Sequence, residues 1–402
     1  MTRAMTCWAI LVPFLFDGTK LRSGQAVLIE DEHIAAIIPP SEVPGSYAAV
    51  RPAGAAYLSP GLVDLQVNGG GGVLFNDDIT PEGLARIAAA HRALGTSHIL
   101  PTLMSGSTAE IAAALDAVRA AMARGVPGIL GLHIEGPFFN PHWRGIHPAR
   151  AIRAMSAEDL DLLTAPHPFP LALTLAPETM AEATLRRLAA AGIVLLAGHT
   201  EATVEEIARA RAAGLIGFTH LFNAMPPITG RAPGPAGAAL ADREGFASII
   251  VDGLHVHPDA VRLALAAKET ERLFLVSDAM PTVGATIDSF LIGGTPIRLK
   301  EGRLVDEAGT LGGAHLSLAE AVRNAHRLLG LDPAEALRMA TATPSACLRA
   351  GHGPWAISSG ALVPGARADL ALFDRSLALL GTWESGVFRP RPEREPASME
   401  KQ

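Results

Sequence analysis

The hydrophobic pattern of the chain alternates between two textures. Short, continuously apolar runs recur at 61–67 (GLVDLQV), 97–100 (SHIL), 129–134, 171–175, 193–198, 215–219, 247–251 and 272–277. Between them lie Ala- and Leu-rich stretches with helical periodicity. Runs without polar alternation predict strands buried on both faces, as in a parallel sheet covered by helices. The intervening stretches carry start and stop signals. Thr80-Pro81 supplies an N-cap followed by a first-turn proline. Capping boxes are read at Ser107/Glu110, Thr179/Glu182, Thr203/Glu206 and Ser317/Glu320, and Gly95, Gly125, Gly192, Gly214 and Gly330 stand where helices should stop. Eight such units over about 290 residues predict an α/β fold, a (β/α)8 barrel spanning 59–351.

The flanks read differently. VLIEDEHIAAII (27–38) holds two β-runs around an acidic turn, and ARADLALFD (366–374) holds another. A small β-sandwich made from both chain ends, 1–58 with 352–388, is the expectation. The run Cys7 to Phe16 follows Arg3 like a short secretory segment. It contains Pro13, lacks a small-residue cleavage site and enters the hairpin-turn pair Asp17-Gly18, so a signal peptide is set aside. The Pro-rich, charged tail 389–402 is expected to be disordered.

Composition narrows the function classes. With 49% hydrophobic and 18% charged residues among 402, a large core is available and global disorder is excluded. A net charge of −7 offers no electrostatic footprint for nucleic acid, and obliges any anionic substrate to be met by locally placed Arg or His. No apolar run reaches the ~20 residues needed to cross a bilayer. Two cysteines without CxxC spacing, Cys7 and Cys347, exclude a disulfide framework and fit the reducing cytoplasm.

In a barrel of this kind, chemistry sits at the C-terminal ends of the strands. The residues there are Gln66 and Asn68, Thr102, Glu135, Glu178, His199, His220, His255 and Asp278. Catalytic zinc takes three ligands from His, Asp or Glu and keeps one position open for water. Glu135, His199 and His220, from the third, fifth and sixth strands, supply that set. One such histidine alone is more often a core or surface residue; three acceptors at the strand ends of one barrel favour a metal. Asp278 faces the same point, where a carboxylate can take a proton from water and return it to a leaving amine. The alternative is a strand-end Asp that caps the next turn. His147 and His255 are candidates for polarising a carbonyl or contacting an anion. His257 is read as structural, and His98 and His133 as packing residues. Gly69 to Gly72 lacks the Lys-Ser/Thr of a P-loop and the spacing of a dinucleotide fingerprint, so a flexible loop is expected.

At this resolution of motif the chain resembles a known family. PGLVDLQVNGGGG (60–72), GLHIEGPFFNPHWRGIHP (131–148), GHTEAT (198–203), THLFNAMPPITGRAPG (219–234), DGLHVHP (252–258), LVSDAMPTVG (275–284) and GTLGGAHLSL (309–318) are similar, in order and spacing, to the N-acetylglucosamine-6-phosphate deacetylase family of the amidohydrolase superfamily. The resemblance covers the barrel and both flanks. It implies hydrolysis of an N-acetylated hexosamine 6-phosphate to acetate and the amino sugar phosphate. It also implies that Glu135, His199 and His220 hold one divalent metal, zinc first with Fe2+, Mn2+ or Co2+ as alternatives. Asp278 is implied as acid/base and His147 as the group beside the substrate carbonyl. Ile146, Asn223, Ala224, Arg231, His255 and the Leu311-Gly312-Gly313 backbone are implied as substrate contacts, with Arg231 crossing from the partner of a homodimer. Many amidohydrolases carry His-x-His where this chain has Gln66 and Asn68. Amides are poor zinc donors, so a single metal is expected, with these two residues as accessories near it. Two positions depart from the family: Ile146 replaces Thr or Ala, and His315 enters a stretch of small residues. Both bear on sugar selectivity. The rival readings are an N-acetylgalactosamine-6-phosphate deacetylase, an aminoacylase, and a barrel that binds without catalysis.

Overall fold

The computed structural model describes residues 6–353, 359–384 and 386–391. The eight apolar runs form eight parallel strands in chain order: β1 (Leu62–Val67), β2 (Thr96–Met104), β3 (Leu132–Glu135), β4 (Leu171–Leu175), β5 (Val194–Ala197), β6 (Gly217–Phe218), β7 (Phe246–Ile249) and β8 (Leu273–Leu275). The seam between β8 and β1 is closed beyond the ends of the strands. Val67 and Ala279 form a parallel bridge, Asp278 N donates to Gln66 O at 3.1 Å, and Asn68 N donates to Ala279 O at 2.9 Å. Burial on both faces, expected from the unbroken apolar runs, holds for every residue of β3, β4, β5 and β7.

Helices cover the outside. Thr80 caps α1 (Pro81–Ala93) through Gly83 N, and full capping boxes occur at Ser107, Thr203 and Ser317. Thr179 does not cap a helix. Pro177 starts a 3-10 turn that takes in Thr179, whose hydroxyl donates back to Ala176 O at 2.7 Å, and the next helix starts after Ala181 without a side-chain cap. A capping box not foreseen sits at Ser156/Asp159.

Both chain ends meet in one further eight-stranded sheet. Leu370–Phe373 pairs antiparallel with Tyr57–Pro60, which lies parallel to Cys7–Phe16. The apolar N-terminal run is thus a strand, and it turns back through Asp17-Gly18 onto Leu21–Glu30. Its core is separate from the barrel's and is built on Ile10, Leu15, Ile29, Leu58, Leu370 and Trp383. The edge strand Val387–Pro390 runs two residues beyond 388, into the segment expected to be disordered; residues 392–402 of that segment lie outside the described residues.

Between β8 and the next helix the chain inserts an antiparallel meander: Ser289–Ile292, Thr295–Lys300, Arg303–Val305 and Leu311–Ala314. Its first two turns are two-residue hairpins with both central residues at positive φ, Gly293-Gly294 (56° and 94°) and Glu301-Gly302 (49° and 81°). These are the turns that match strand twist. The last strand enters the barrel seam, where Ala314 N donates to Asp278 O at 2.9 Å. Gly69–Gly70 and Val73–Leu74 pair as a tight ladder in place of the expected flexible loop. A Cβ on Gly69 would lie 2.3 Å from Val73 O, so only glycine fits.

Candidate active site

Glu135 ends β3, and His199 and His220 follow β5 and β6 within three residues. All three are buried, and their ligand-type atoms lie within 4.8 Å of one another; no other such group exists among the described residues. His220 Nε2 is 3.2 Å from Glu135 Oε1, His199 Nε2 is 3.4 Å from the same oxygen, and the two Nε2 atoms are 3.0 Å apart. A tetrahedral cation with bonds of about 2.0–2.1 Å separates its donors by roughly 3.3–3.4 Å, so the triangle has the right size. The tautomers fit as well. His199 Nδ1 lies 2.9 Å from Trp143 O; a carbonyl only accepts, so the proton is on Nδ1 and the Nε2 lone pair points into the triangle. Two imidazole nitrogens and a carboxylate oxygen converging in a buried space present concentrated lone-pair density that a cation would satisfy.

Electrostatics follow from this packing. Burial alone would raise Glu135, but the facing His199, His220 and His147 rings outweigh it and hold the carboxyl well below the usual carboxylate range. Burial lowers His199. At His220 the facing Glu135 carboxylate outweighs burial and raises the ring. Asp278 is pushed up to about 6 by burial and by the Glu135 charge, against the pull of His220, His255 and Asn68.

His147 is neutral, lowered to about 3 by burial and by the neighbouring His199 ring. Its Nδ1 receives the Ser105 backbone N–H at 3.2 Å and lies 2.8 Å from Ser105 Oγ. Because an amide N–H must donate, the His147 proton sits on Nε2, 3.7 Å from Glu135 Oε2. Phe139 stacks on the His199 ring at 4.1 Å and meets His147 edge-on, which fixes both ring planes. His255 is oriented by Asp252, Nδ1 to Oδ2 at 2.6 Å. His133 lies deeper, held between Thr102 Oγ1 (3.1 Å) and Thr174 Oγ1 (2.8 Å). Glu178 serves the loops, accepting from Asn140, Thr200 and Glu201 N. His257 caps the helix that begins at Pro258.

The backbone is strained where these side chains project. His199 (φ 51°), His220 (32°), Ala224 (49°) and Asp278 (51°) all occupy the left-handed region, an arrangement that L-residues hold only when neighbours over-determine it. Here His220 N donates to Ser248 Oγ at 2.7 Å and Asn140 N to His199 O at 3.0 Å.

A cleft of about 350 Å³ opens above the triangle, lined by Glu135, His147, His199, His220, His255 and Asp278. Ile146, Asn223, Ala224, Leu311 and Gly313 also line it. Gly312 does not; a Cβ there would touch Ile297 and Ile146 at 3.3–3.4 Å, so its smallness seats the meander against the cleft wall. Gln66 and Asn68 lie buried beneath. Arg231 is exposed and outside the cleft of its own chain. Met104, Met280 and Gly145 also line the cleft, and sequence reasoning gave no sign of them, because apolar wall residues look like core. Ser105 was missed too: it follows directly on β2, which runs to Met104, four residues past the apolar run 97–100 read in the sequence.

Comparison with known proteins places the chain in a family of the same fold. A sequence profile of the amidohydrolase family matches residues 57–392. An N-acetylgalactosamine-6-phosphate deacetylase of Shewanella sp. (strain ANA-3) is 37% identical over 82% of this chain and 82% of its own. The N-acetylglucosamine-6-phosphate deacetylase of Haemophilus influenzae is 32% identical over 90% of this chain and 94% of its own. The crystal structure of N-acetylglucosamine-6-phosphate deacetylase from Pasteurella multocida superposes with a TM-score of 0.87 at 32% identity, covering 96% of this chain and 100% of that one.

Proposed function

The chain belongs to the amidohydrolase family, and we propose that it is the enzyme that hydrolyses N-acetyl-D-glucosamine 6-phosphate to D-glucosamine 6-phosphate and acetate in amino-sugar catabolism. The observation that carries this reading is the convergence of Glu135, His199 and His220 in one cleft with Asp278 and His147. A single divalent cation on that triangle, zinc first and Fe2+, Mn2+ or Co2+ as alternatives, would polarise the acetyl carbonyl and acidify a water. His147, carrying its proton on Nε2, donates to the carbonyl oxygen as negative charge develops there. Asp278 takes a proton from the attacking water as the new C–O bond forms. It returns that proton to the sugar nitrogen as the C–N bond breaks. Asn223, Ala224 and the Leu311 and Gly313 backbone orient the sugar, with Ile146 on the wall. His255 meets the phosphate together with Arg231 of a second subunit in a homodimer, which offsets the overall negative charge.

Among the described residues no helix is long and apolar enough to cross a membrane. Cys7 and Cys347 are both free thiols, which supports a cytoplasmic assignment.

The test is turnover of N-acetylglucosamine 6-phosphate before and after chelation. Acetate release that stops with chelator and returns with zinc supports the reading; release that ignores chelator overturns it. The 37% identity to a galactosamine-type deacetylase favours a second reading in which the 4-epimer is preferred. Parallel kcat/KM values on the two sugar phosphates decide between them.

A further inference from the structure

Gln66 and Asn68 lie two residues apart at the end of β1, so their side chains share one face. They sit directly across the closing seam from Asp278, whose backbone N–H donates to Gln66 O. Asn68 Nδ2 donates to Asp278 Oδ1 at 2.7 Å. Gln66 Nε2 donates to the same oxygen at 3.2 Å and to Glu135 Oε1 at 2.8 Å. Among the described residues no hydrogen bond reaches Asp278 Oδ2, and Asp278 lines the cleft. Meanwhile the two amide oxygens, Gln66 Oε1 and Asn68 Oδ1, are buried and accept nothing from the protein.

This is an uneven pattern. Amides kept for packing would satisfy both ends; here the donor ends are spent on carboxylates and the acceptor ends forgone. Flipping either amide would set its oxygen against a carboxylate oxygen at contact distance, so the donor assignment is fixed by the network. Neutral donors also suit the task. They hold an anion in place without the full charge that Lys or Arg would bring, and they carry no proton that titrates in competition.

We propose that Gln66 and Asn68 are positioning residues: together they clamp Oδ1 of Asp278 so that Oδ2 alone faces the substrate, and Gln66 in addition couples that carboxylate to Glu135. The inference rests on the proposed reaction for Asp278, and it gives the two residues different roles. Asn68 acts only through Asp278. Gln66 acts through Asp278 and through a donor of the cation site.

The experiment uses the full-length zinc-loaded protein with N-acetylglucosamine 6-phosphate as substrate. Asn68→Leu should lower kcat by about 10²-fold with KM changed less than about twofold, and zinc affinity, read by chelator competition, should stay unchanged. In an Asp278→Asn background the same change should cost under about twofold, since the group it positions is gone. Gln66→Met should lower kcat and also weaken zinc by about tenfold. Asn68→Ala and Gln66→Ala serve as second variants if either first one fails to fold. Equal losses from Asn68→Leu on both backgrounds, or a kcat within about threefold of wild type, overturn the clamp on Asp278. Unchanged zinc affinity in Gln66→Met overturns the link to Glu135. A wild type without turnover would refute the proposed reaction instead, and the zinc measurement, which needs no turnover, would still decide the role of Gln66.

Discussion

In the proposed reaction Asp278 must meet two opposed demands: ionised to accept a proton, yet basic enough to hold it until the amine departs. Its surroundings press from both sides. Burial and the Glu135 charge push its carboxyl up to about 6, while His220, His255 and Asn68 pull against them, which places the group near the pH where proton transfer in either direction is effective. Asp278→Asn keeps the shape and removes the base. Turnover should fall by about 10³-fold while elemental analysis still finds the cation, because the triangle of Glu135, His199 and His220 does not include Asp278. A loss of less than tenfold would remove Asp278 from the reaction. At this scale much of the site was legible from the chain, since Glu135, His199, His220 and Asp278 each follow an apolar run and a barrel makes strand ends converge. The work of Gln66 and Asn68 was not legible. Their amides signal a missing metal ligand in sequence, and only the seam geometry reveals that both donor ends point at carboxylates.

Elements decide whether those side chains arrive in register. The meander that closes the cleft went unread in the sequence, although Ile292-Gly293-Gly294-Thr295 and Lys300-Glu301-Gly302-Arg303 are hairpin signals between alternating runs. Its last strand lies against the base, and Gly313 is the point of contact: φ is 68°, and a Cβ would fall 2.4 Å from Met280 Cε and 3.0 Å from Asp278 O. Gly313→Ala should therefore destabilise by about 1–3 kcal/mol and lower kcat as well. Gly302→Ala, at φ 81° but with only Leu254 at 3.6 Å, should destabilise by about 1 kcal/mol with kcat intact. Urea midpoints beside kcat would separate the two. In the flanking sheet, the turn after the first strand hangs on Asp17. Burial would raise its carboxyl, but hydrogen bonds from Thr19, Lys20 N and Arg22 outweigh that and hold it down to about 2. A carboxyl lower in the folded than in the unfolded chain adds stability above about pH 4, and that stability is lost as pH falls toward 2. Asp17→Asn should thus be less stable than wild type at pH 7, by up to about 2 kcal/mol, and match it near pH 2. Equal stability at both pH values would show that the turn does not depend on this charge.

At the scale of the whole molecule, the role proposed for Arg231 reaches beyond a single chain. Arg231 is exposed, outside the cleft of its own subunit, and has no hydrogen bond or ion pair among the described residues. The chain as a whole carries −7, so a sugar phosphate needs a cation from somewhere close. If Arg231 serves the cleft of a second subunit, each site in a dimer is built from two chains, and the proposal can be tested by complementation. Arg231→Ala alone should raise KM for the phosphorylated substrate by about tenfold or more, as expected when a charge-assisted contact is lost, and leave kcat nearly intact. Asp278→Asn alone should keep only about a thousandth of wild-type turnover at every substrate concentration. Co-expressed and purified as mixed dimers, the two variants should regain a low-KM activity that neither shows alone. The cleft that keeps Asp278 then receives Arg231 from the chain that lost its aspartate, while the opposite cleft has lost both. Arg231 acting within its own chain predicts the reverse: every cleft lacks one group, and mixing restores nothing. The KM of the mixed population is therefore the deciding measurement, because a wild-type KM at reduced total turnover can arise only from sites assembled across two subunits.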